Sequence, residues 1–437
     1  MKVAVIGVGH VGLVSAAAMS AWGHDVVGMD DDASKVELLD RGEMPFFEPG
    51  LEELVTEQVA TGRLRFTTDA RAAVRHAEVA FVCVGTPSLP GGGPNLSFVE
   101  AAGRRIAAHA THDLVVVEKS TVPAQTGERL REIIAMEQAL HHLDGRISVA
   151  SSPEFLRQGV AVQDTLAPDR IVIGYEDDWA GERLREVFAH VVAESGCPLV
   201  ETDLATAELI KHASNGYLAM RISYVNNLAL LCERVGANVD VVTAGMGHDD
   251  RIGPHFMRAG IGYGGSCFPK DLDAFVHLTE HLGQDATLMR AVRQINATMR
   301  DHVIEKLRSR LWHFDEKIVV ILGASFKPDT DDTREAPGLH IGRRLADEGA
   351  TVRVYDPMVD VLPDWAGDDL LLTNDLNTAL PGAHAALVAT EWPEVRAITP
   401  DDFKAAMAYP IVIDGRNVYD VATMRNAGIM YDSVGRP

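Results

Sequence analysis

The sequence predicts an α/β protein: two Rossmann-like, doubly wound domains joined by a long-helix central region. Three observations predict it. Short apolar runs alternate with helical patterns over roughly the first 200 residues, which builds a parallel sheet with helices on both faces. The strand signal then fades, and near Lys317 the alternation resumes. The expected division of the 437 residues is 1–202, 203–311 and 312–437.

In the first domain the runs Val3–Ile6, Val26–Met29, Val79–Val84, Leu114–Glu118 and Ile171–Ile173 read as strands of a parallel sheet. Pro90-Gly91-Gly92-Gly93-Pro94 reads as a mobile surface loop. Leu204 to Val235 is one helical pattern without proline, and its apolar excess implies a second buried face, most simply a dimer interface. In the last domain Ile318–Leu322, Val352–Tyr355, Ala385–Ala389 and Ile411–Asp414 read as four further strands. Gly349 precedes its second strand as Gly23 precedes the second strand of the first domain.

Composition narrows the function. The chain is 46% hydrophobic and 24% charged, with no apolar run long enough for a membrane helix, which needs roughly 18 residues. It opens on the strand-like Lys2-Val3-Ala4-Val5-Ile6 and not on a signal-peptide pattern. A net charge of −23 argues against nucleic-acid or anionic-membrane partners, yet leaves room for an anionic small molecule in a cleft lined by a few Arg and Lys. Cys83, Cys197, Cys232 and Cys267 are scattered without a CxxC pair, so neither a disulfide framework nor a metal site is expected, and a reduced cytoplasm fits.

Gly7-Val8-Gly9-His10-Val11-Gly12 follows the first strand and opens a helix. The first glycine permits the tight turn, the second lets a pyrophosphate approach the backbone, and the third lets helix pack on strand. The helix N-terminus supplies N–H donors to the phosphates. Asp30 ends the next strand, at the spacing expected for a carboxylate that accepts from ribose hydroxyls. Asp31 and Asp32 follow with no arginine adjacent, a cluster that repels a 2′-phosphate, so the cofactor reads as NAD and not NADP. The equivalent turn of the last domain, Gly323-Ala324-Ser325-Phe326-Lys327, lacks the glycine pattern and should not hold a second dinucleotide.

Gly262-Tyr263-Gly264-Gly265-Ser266-Cys267-Phe268-Pro269-Lys270-Asp271 places a thiol, glycines and an ammonium group in one loop. Glycines let a substrate approach the main chain, and a neighbouring lysine favours the thiolate. Lys211 and Asn215 are spaced i, i+4 on the long helix, so they share a face and can both donate to an oxyanion.

These motifs resemble those of the UDP-glucose/GDP-mannose dehydrogenase family over essentially the whole chain. The matching strings, in order, are the glycine fingerprint, Gly85-Thr86-Pro87, Ser120-Thr121-Val122-Pro123, Ser152-Pro153-Glu154-Phe155-Leu156, Glu208 to Asn215, the Cys267 loop, Phe326-Lys327 through Asp332-Thr333-Arg334-Glu335, and Asp414-Gly415-Arg416. The resemblance implies a dimeric, NAD-dependent, four-electron oxidation of a nucleotide sugar at C6, through a thiohemiacetal and a thioester on Cys267. UDP-glucose is the leading substrate; GDP-mannose, a UDP-N-acetylhexosamine or dTDP-glucose would undergo the same chemistry. A non-catalytic nucleotide-sugar binder is the alternative of another class. A two-electron hydroxyacid dehydrogenase would leave Cys267 unexplained.

By the same resemblance Cys267, Lys211, Asn215, Glu154, Asp271 and Thr121 are catalytic, with Glu154 activating the hydrolytic water. Gly7, Gly9, His10, Val11, Gly12, Asp30, Lys35, Thr86, Pro87, Thr121, Gln158, Lys270 and Arg334 would meet the cofactor. Glu154, Phe155, Leu156, Lys211, Asn215, Arg251 (from a neighbouring subunit), Phe256, Tyr263, Gly264, Phe326, Lys327 and Arg416 would meet the substrate. Many family members carry a glutamate where this chain has Gln158, which can hydrogen-bond but cannot act as a base.

Overall fold

The computed structural model describes all residues, Met1–Pro437. They form two compact units: Met1–Ser214 with Asp273–Leu282, and Asn215–Leu272 with Gly283–Pro437.

The first unit is built on eight strands: β1 (Lys2–Ile6), β2 (Asp25–Met29), β3 (Leu64–Thr67), β4 (Val79–Val82), β5 (Leu114–Glu118), β6 (Ile147–Ser151), β7 (Ile171–Tyr175) and β8 (Leu199–Thr202). Their order is β3-β2-β1-β4-β5-β6-β7-β8. The second unit carries β9 (Ile318–Leu322), β10 (Thr351–Tyr355), β11 (Leu370–Thr373), β12 (Ala385–Val388), β13 (Ile411–Asp414) and β14 (Met430–Ser433), in the order β11-β10-β9-β12-β13-β14. The first six strands of one sheet and all six of the other therefore repeat the 3-2-1-4-5-6 order of a dinucleotide-binding fold.

Side chains alternate across a strand. Val3 and Val5 join one apolar core while Ala4 and Ile6 join another, and Val319 and Ile321 are likewise separated from Val320 and Leu322. Helices cover both faces, which explains why these strands read as unbroken apolar runs.

One expectation is corrected: the first sheet is not wholly parallel. β7 pairs antiparallel with β6, Ala150 opposite Tyr175, and β8 follows β7 in parallel. A parallel neighbour needs a crossover, usually an α-helix packed on the sheet. The 19-residue segment 152–170 holds only the six-residue helix Ala161–Leu166, and the chain returns in the opposite sense. The Pro90–Pro94 segment is also less open than a free loop. Ser88 bridges Pro94, Leu89 N–H donates to Gly93 O at 2.7 Å, and Gly93 is buried against His277.

The Leu204–Val235 helix runs unbroken for 32 residues, as its pattern predicts. Residues to Ser214 count with the first unit and those from Asn215 with the second. The Phe268–His281 helix is divided in the same way after Leu272.

Candidate active site

In the first unit the turn after β1 closes tightly. A Cβ on Gly12 would sit 1.8 Å from Gly7 O, so only glycine lets the His10–Ala21 helix meet the strand there. A Cβ on Gly9 would meet nothing within 4 Å, which leaves this side of the turn open beside the helix N-terminus. Asp30, at the end of β2, accepts from Val8 N–H at 2.9 Å and from Lys35 Nζ at 2.9 Å. The turn and its carboxylate are thus locked together, and a dinucleotide fits them. His10 stacks on Phe46 with ring centroids 3.7 Å apart. Two further predicted contacts are linked, since Thr86 Oγ1 donates to Thr121 O at 2.9 Å. Arg105, distant in sequence, pairs with Asp31. Asp32 caps the Ala33–Asp40 helix.

The loop after β6 brings the next group together. Glu154 Oε2 accepts from Leu156 N–H at 2.9 Å, while Oε1 pairs with Lys211 Nζ at 2.9 Å. Their side chains are only 6% and 4% exposed. The carboxylate is therefore both a turn cap and the partner of a buried ammonium. Lys211 also lies 5.5 Å from the Phe155 ring centroid, and the Arg170 guanidinium lies over the same ring at 3.8 Å. Gln158 is buried nearby in sequence, and Leu156 is half-buried.

In the second unit Asn215, one turn beyond Lys211, donates through Nδ2 to Asp271 Oδ2 at 2.6 Å. Asp271 accepts from Lys270 Nζ at 2.8 Å on its other oxygen. The two helix donors foreseen for an oxyanion are thus each matched with a carboxylate. Cys267 is half-buried, whereas Cys83, Cys197 and Cys232 are buried. Burial pushes the Cys83 thiol up to about 12, which makes it unreactive. Glycines of the Cys267 loop also serve packing: a Cβ on Gly264 would meet Glu335 O at 2.3 Å, and one on Gly265 the Phe326 ring at 2.9 Å.

A cavity of about 430 Å³ opens in the same unit, lined by Phe256, Tyr263, Gly264, Phe326 and Arg416 among the predicted substrate contacts. Phe256 holds a left-handed backbone, φ 58°, rare for an aromatic residue. Arg416 pairs with neither Asp414 nor Asp420. Its guanidinium donates to the carbonyls of Ala389 (2.6 Å), Gly262 (3.2 Å) and Phe326 (3.2 Å), beside Glu391 at 3.7 Å. Burial pulls its pKa down. Arg334 pairs with Asp332 at 2.7 Å, Lys327 Nζ lies 5.7 Å from the Phe326 ring centroid, and Arg251 is exposed and tied to Asp249 at 2.6 Å.

The counterpart of the first unit's cofactor turn is filled. Asp356, at the end of β10, is fully buried and accepts from Ala324 N, Ser325 N, Ser325 Oγ, Met358 N, Val359 N and Trp392 Nε1. No lone pair of this carboxylate remains for a ribose.

Three residues of these surroundings escaped the sequence reading. Lys119 Nζ reaches Ser152 O at 3.3 Å, and burial lowers its pKa next to Cys83, Glu154 and Lys211. Glu391 and Asn226 line the cavity. Asn226 had a signal: it stands 11 residues after Asn215, three helical turns along the same face.

Three family models match the chain: "UDP-glucose/GDP-mannose dehydrogenase family, NAD binding domain" over residues 1–192, the central domain over 205–298, and the UDP binding domain over 320–421. The chain is 41% identical to the UDP-glucose 6-dehydrogenase YwqF of Bacillus subtilis, covering 100% of this chain and 98% of the relative. It is 42% identical to the UDP-glucose 6-dehydrogenase of Rhizobium meliloti, covering 100% of both. Among solved structures, a UDP-glucose dehydrogenase from Pyrobaculum islandicum superposes with a TM-score of 0.91 at 38% identity, over 100% of this chain and 98% of the other. A UDP-D-ManNAc dehydrogenase from Pyrococcus horikoshii gives 0.88 at 28% identity, over 100% and 99%.

Proposed function

The chain belongs to the UDP-glucose/GDP-mannose dehydrogenase family, an NAD-dependent oxidoreductase family, and from that premise we propose that it oxidises the C6 hydroxymethyl of UDP-glucose to the carboxylate, giving UDP-glucuronate. The observation that carries the reading is the buried Glu154–Lys211 pair, a proton-holding couple on the strings that match the family. The Gly7–Gly12 turn and Asp30 would hold NAD, which would supply hydride acceptance, twice per sugar.

In this reading C6 gives up its first hydride while Lys211 and Asn215 donate to the C6 oxygen, whose proton passes to the water that Thr121 and Asp271 would hold around it. The Cys267 thiolate adds to the resulting aldehyde, forming a C–S bond, and the oxygen takes a proton. Loss of the second hydride leaves a thioester. Glu154 takes a proton from water as the water attacks the thioester carbonyl, and the C–S bond breaks to return the thiolate. Gln158, an amide, is assigned binding only. His10, Val11, Lys35, Thr86, Pro87, Lys270 and Arg334 are assigned to the cofactor. Phe155, Leu156, Arg251, Phe256, Tyr263, Gly264, Phe326, Lys327 and Arg416 are assigned to the nucleotide sugar.

The segments 1–202, 203–311 and 312–437 are taken as the cofactor, dimerisation and nucleotide domains. Tyr217, Tyr224 and Leu231, exposed at seven-residue spacing on the long helix, form the stripe through which two chains would pair. No helix is long and apolar enough to cross a membrane, and four cysteines outside any disulfide suit a reducing cytoplasm. A UDP-N-acetylhexosamine is the second reading, favoured by the likeness to the Pyrococcus horikoshii structure.

The test is the yield of NADH from limiting UDP-glucose with excess NAD. Two NADH per sugar and a carboxylate product are expected. One NADH per sugar, or none, would remove the reading.

A further inference from the structure

Residues 41–50 join the Ala33–Asp40 helix to the Leu51–Ala60 helix without forming a helix or strand of their own. Two of their side chains nevertheless hold parts of the first unit that lie far apart in sequence. Phe46 stacks on His10, the residue that opens the helix after the glycine turn, with ring centroids 3.7 Å apart and planes 20° apart. Two residues on, Glu48 is buried, only 5% exposed. Its Oε2 accepts from Gly159 N–H at 2.8 Å and its Oε1 from Ala161 N–H at 2.7 Å. Ala161 opens the Ala161–Leu166 helix, whose N-cap residue, Val160, makes no side-chain cap bond. Glu48 supplies that cap from 113 residues away.

A buried carboxylate needs donors, and one that takes two backbone N–H groups is fixed through both oxygens. Two residues of chain span at most about 7 Å, so a fixed Glu48 leaves Phe46 little room to quit the His10 ring. The surroundings brace the same arrangement. Phe46, Met44 and Val162 pack on the core that holds Val8 and Leu13, and the His10–Ala21 helix packs on the Ala161–Leu166 helix. His10 stands where the first N–H groups of a helix meet a pyrophosphate. A turn already held in its bound shape costs less to order when the ligand arrives.

We propose that Glu48 is a positioning residue for NAD: it anchors Phe46 against His10 and so holds the Gly7–Gly12 turn in the shape that receives the pyrophosphate. This rests on the assignment of the dinucleotide to that turn. Glu154 has its own anchors in Lys211 and Leu156 N–H, so loss of Glu48 falls on cofactor affinity and not on the steps at C6.

The experiment measures the Kd of NADH by fluorescence titration on the full-length wild type, Glu48→Gln, Phe46→Leu and the double variant, alongside melting temperatures and the KM for NAD and for UDP-glucose. Glutamine keeps the side-chain shape but turns an amide NH2 toward one of the two N–H donors. Each single variant should raise the Kd of NADH and the KM for NAD by roughly 10-fold, the order of coupling within one contact network. The KM for UDP-glucose and kcat should stay within about twofold. The double variant should bind NADH no more weakly than the weaker single variant, because the two residues act as one clamp. Phe46→Tyr, which keeps the stack, should bind NADH like the wild type. A Glu48→Gln protein that melts lower yet binds NADH like the wild type reduces Glu48 to a helix cap and overturns the proposal. Additive effects of the two substitutions also overturn it, since they would route Glu48 through Gln158, next to Gly159. Should Glu48→Gln fail to fold, Phe46→Leu decides, and an unchanged NADH affinity there overturns the proposal. Failure of the wild type to bind NADH would instead sink the assignment of the cofactor to the turn.

Discussion

Lys211 and Glu154 show what a single pair sets. Both are almost wholly buried and 2.9 Å apart, so removing one leaves the other as an uncompensated charge. Breaking such a pair typically costs about 3–5 kcal/mol. Lys211→Met should therefore lower the melting temperature as well as abolish NADH formation, and a variant with unaltered melting would show that the pair is not intact in solution. Glu154→Gln keeps the cap on Leu156 N–H but removes the base. Mixed with UDP-glucose and excess NAD, it should give a burst of NADH stoichiometric with enzyme, followed by turnover slowed ~10²–10⁴-fold. A proportional slowing without a burst would place Glu154 before the thioester. Cys267→Ser should stall turnover, and wild-type rates would exclude covalent catalysis. At this scale the sequence was partly legible. Lys211 and Asn215 announce a shared face by their spacing, but their carboxylate partners lie 57 residues before Lys211 and 56 after Asn215, where no local pattern reaches. Asn226 went unread because an asparagine in an apolar helix looks the same whether its amide is matched or idle.

Strands and helices divided by length and by face. The central strands β1, β4, β5, β9 and β12 are buried on both sides and read as apolar runs. β3, β8, β11 and β14 escaped: each has four residues, sits at a sheet edge, and leaves residues such as Val200 and Leu371 exposed; β6 escaped too, although it is interior, because Ser148 and Ser151 interrupt its apolar run. Two elements carry testable consequences. Glu208, within the string shared with the family, caps the Thr126–His141 helix by accepting from Gln125 N–H and Gly127 N–H, each at 2.7 Å. Burial outweighs those bonds and pushes its carboxyl up to about 7 from 4.5. A raised carboxyl favours the folded state while protonated, so its contribution is full below about pH 4.5 and is lost as the pH rises through 7. The melting temperature of the wild type relative to Glu208→Gln should fall across that window, and a flat difference would mean the group is ionised throughout. Gly435 docks against the long helix. Its N–H donates to Glu233 at 2.8 Å, and at φ 72° a Cβ would meet Ala229 Cβ at 2.6 Å. Gly435→Ala should therefore cost about 1–3 kcal/mol in urea denaturation, whereas a neutral change would mean that the 434–437 segment is not docked.

For the whole molecule the deciding question is whether one chain suffices. The net charge of −23 works against self-association of arbitrary surfaces, so any stable pairing must be driven by a specific apolar face. The long helix has one. Tyr217, Tyr224 and Leu231 lie two turns apart from one another, each more than half exposed, and positions seven apart stay on one stripe. Exposed aromatic residues in a row mark an interaction surface. In the proposed dimer Arg251 would supply the functional link: its side chain is 89% exposed and pairs with Asp249, which leaves it at the surface where another chain's nucleotide sugar could meet it. Leu231→Glu, being exposed, should leave the monomer fold within about 0.5 kcal/mol of the wild type. It should shift sedimentation from twice the chain mass of 47.3 kDa to the single-chain mass, and turnover should fall with it. Arg251→Ala should keep the dimer yet lose turnover to a similar degree, because it removes the reaching group and not the interface. A monomeric wild type, or an active Leu231→Glu monomer, would show that each chain completes its own site and that the stripe serves something else.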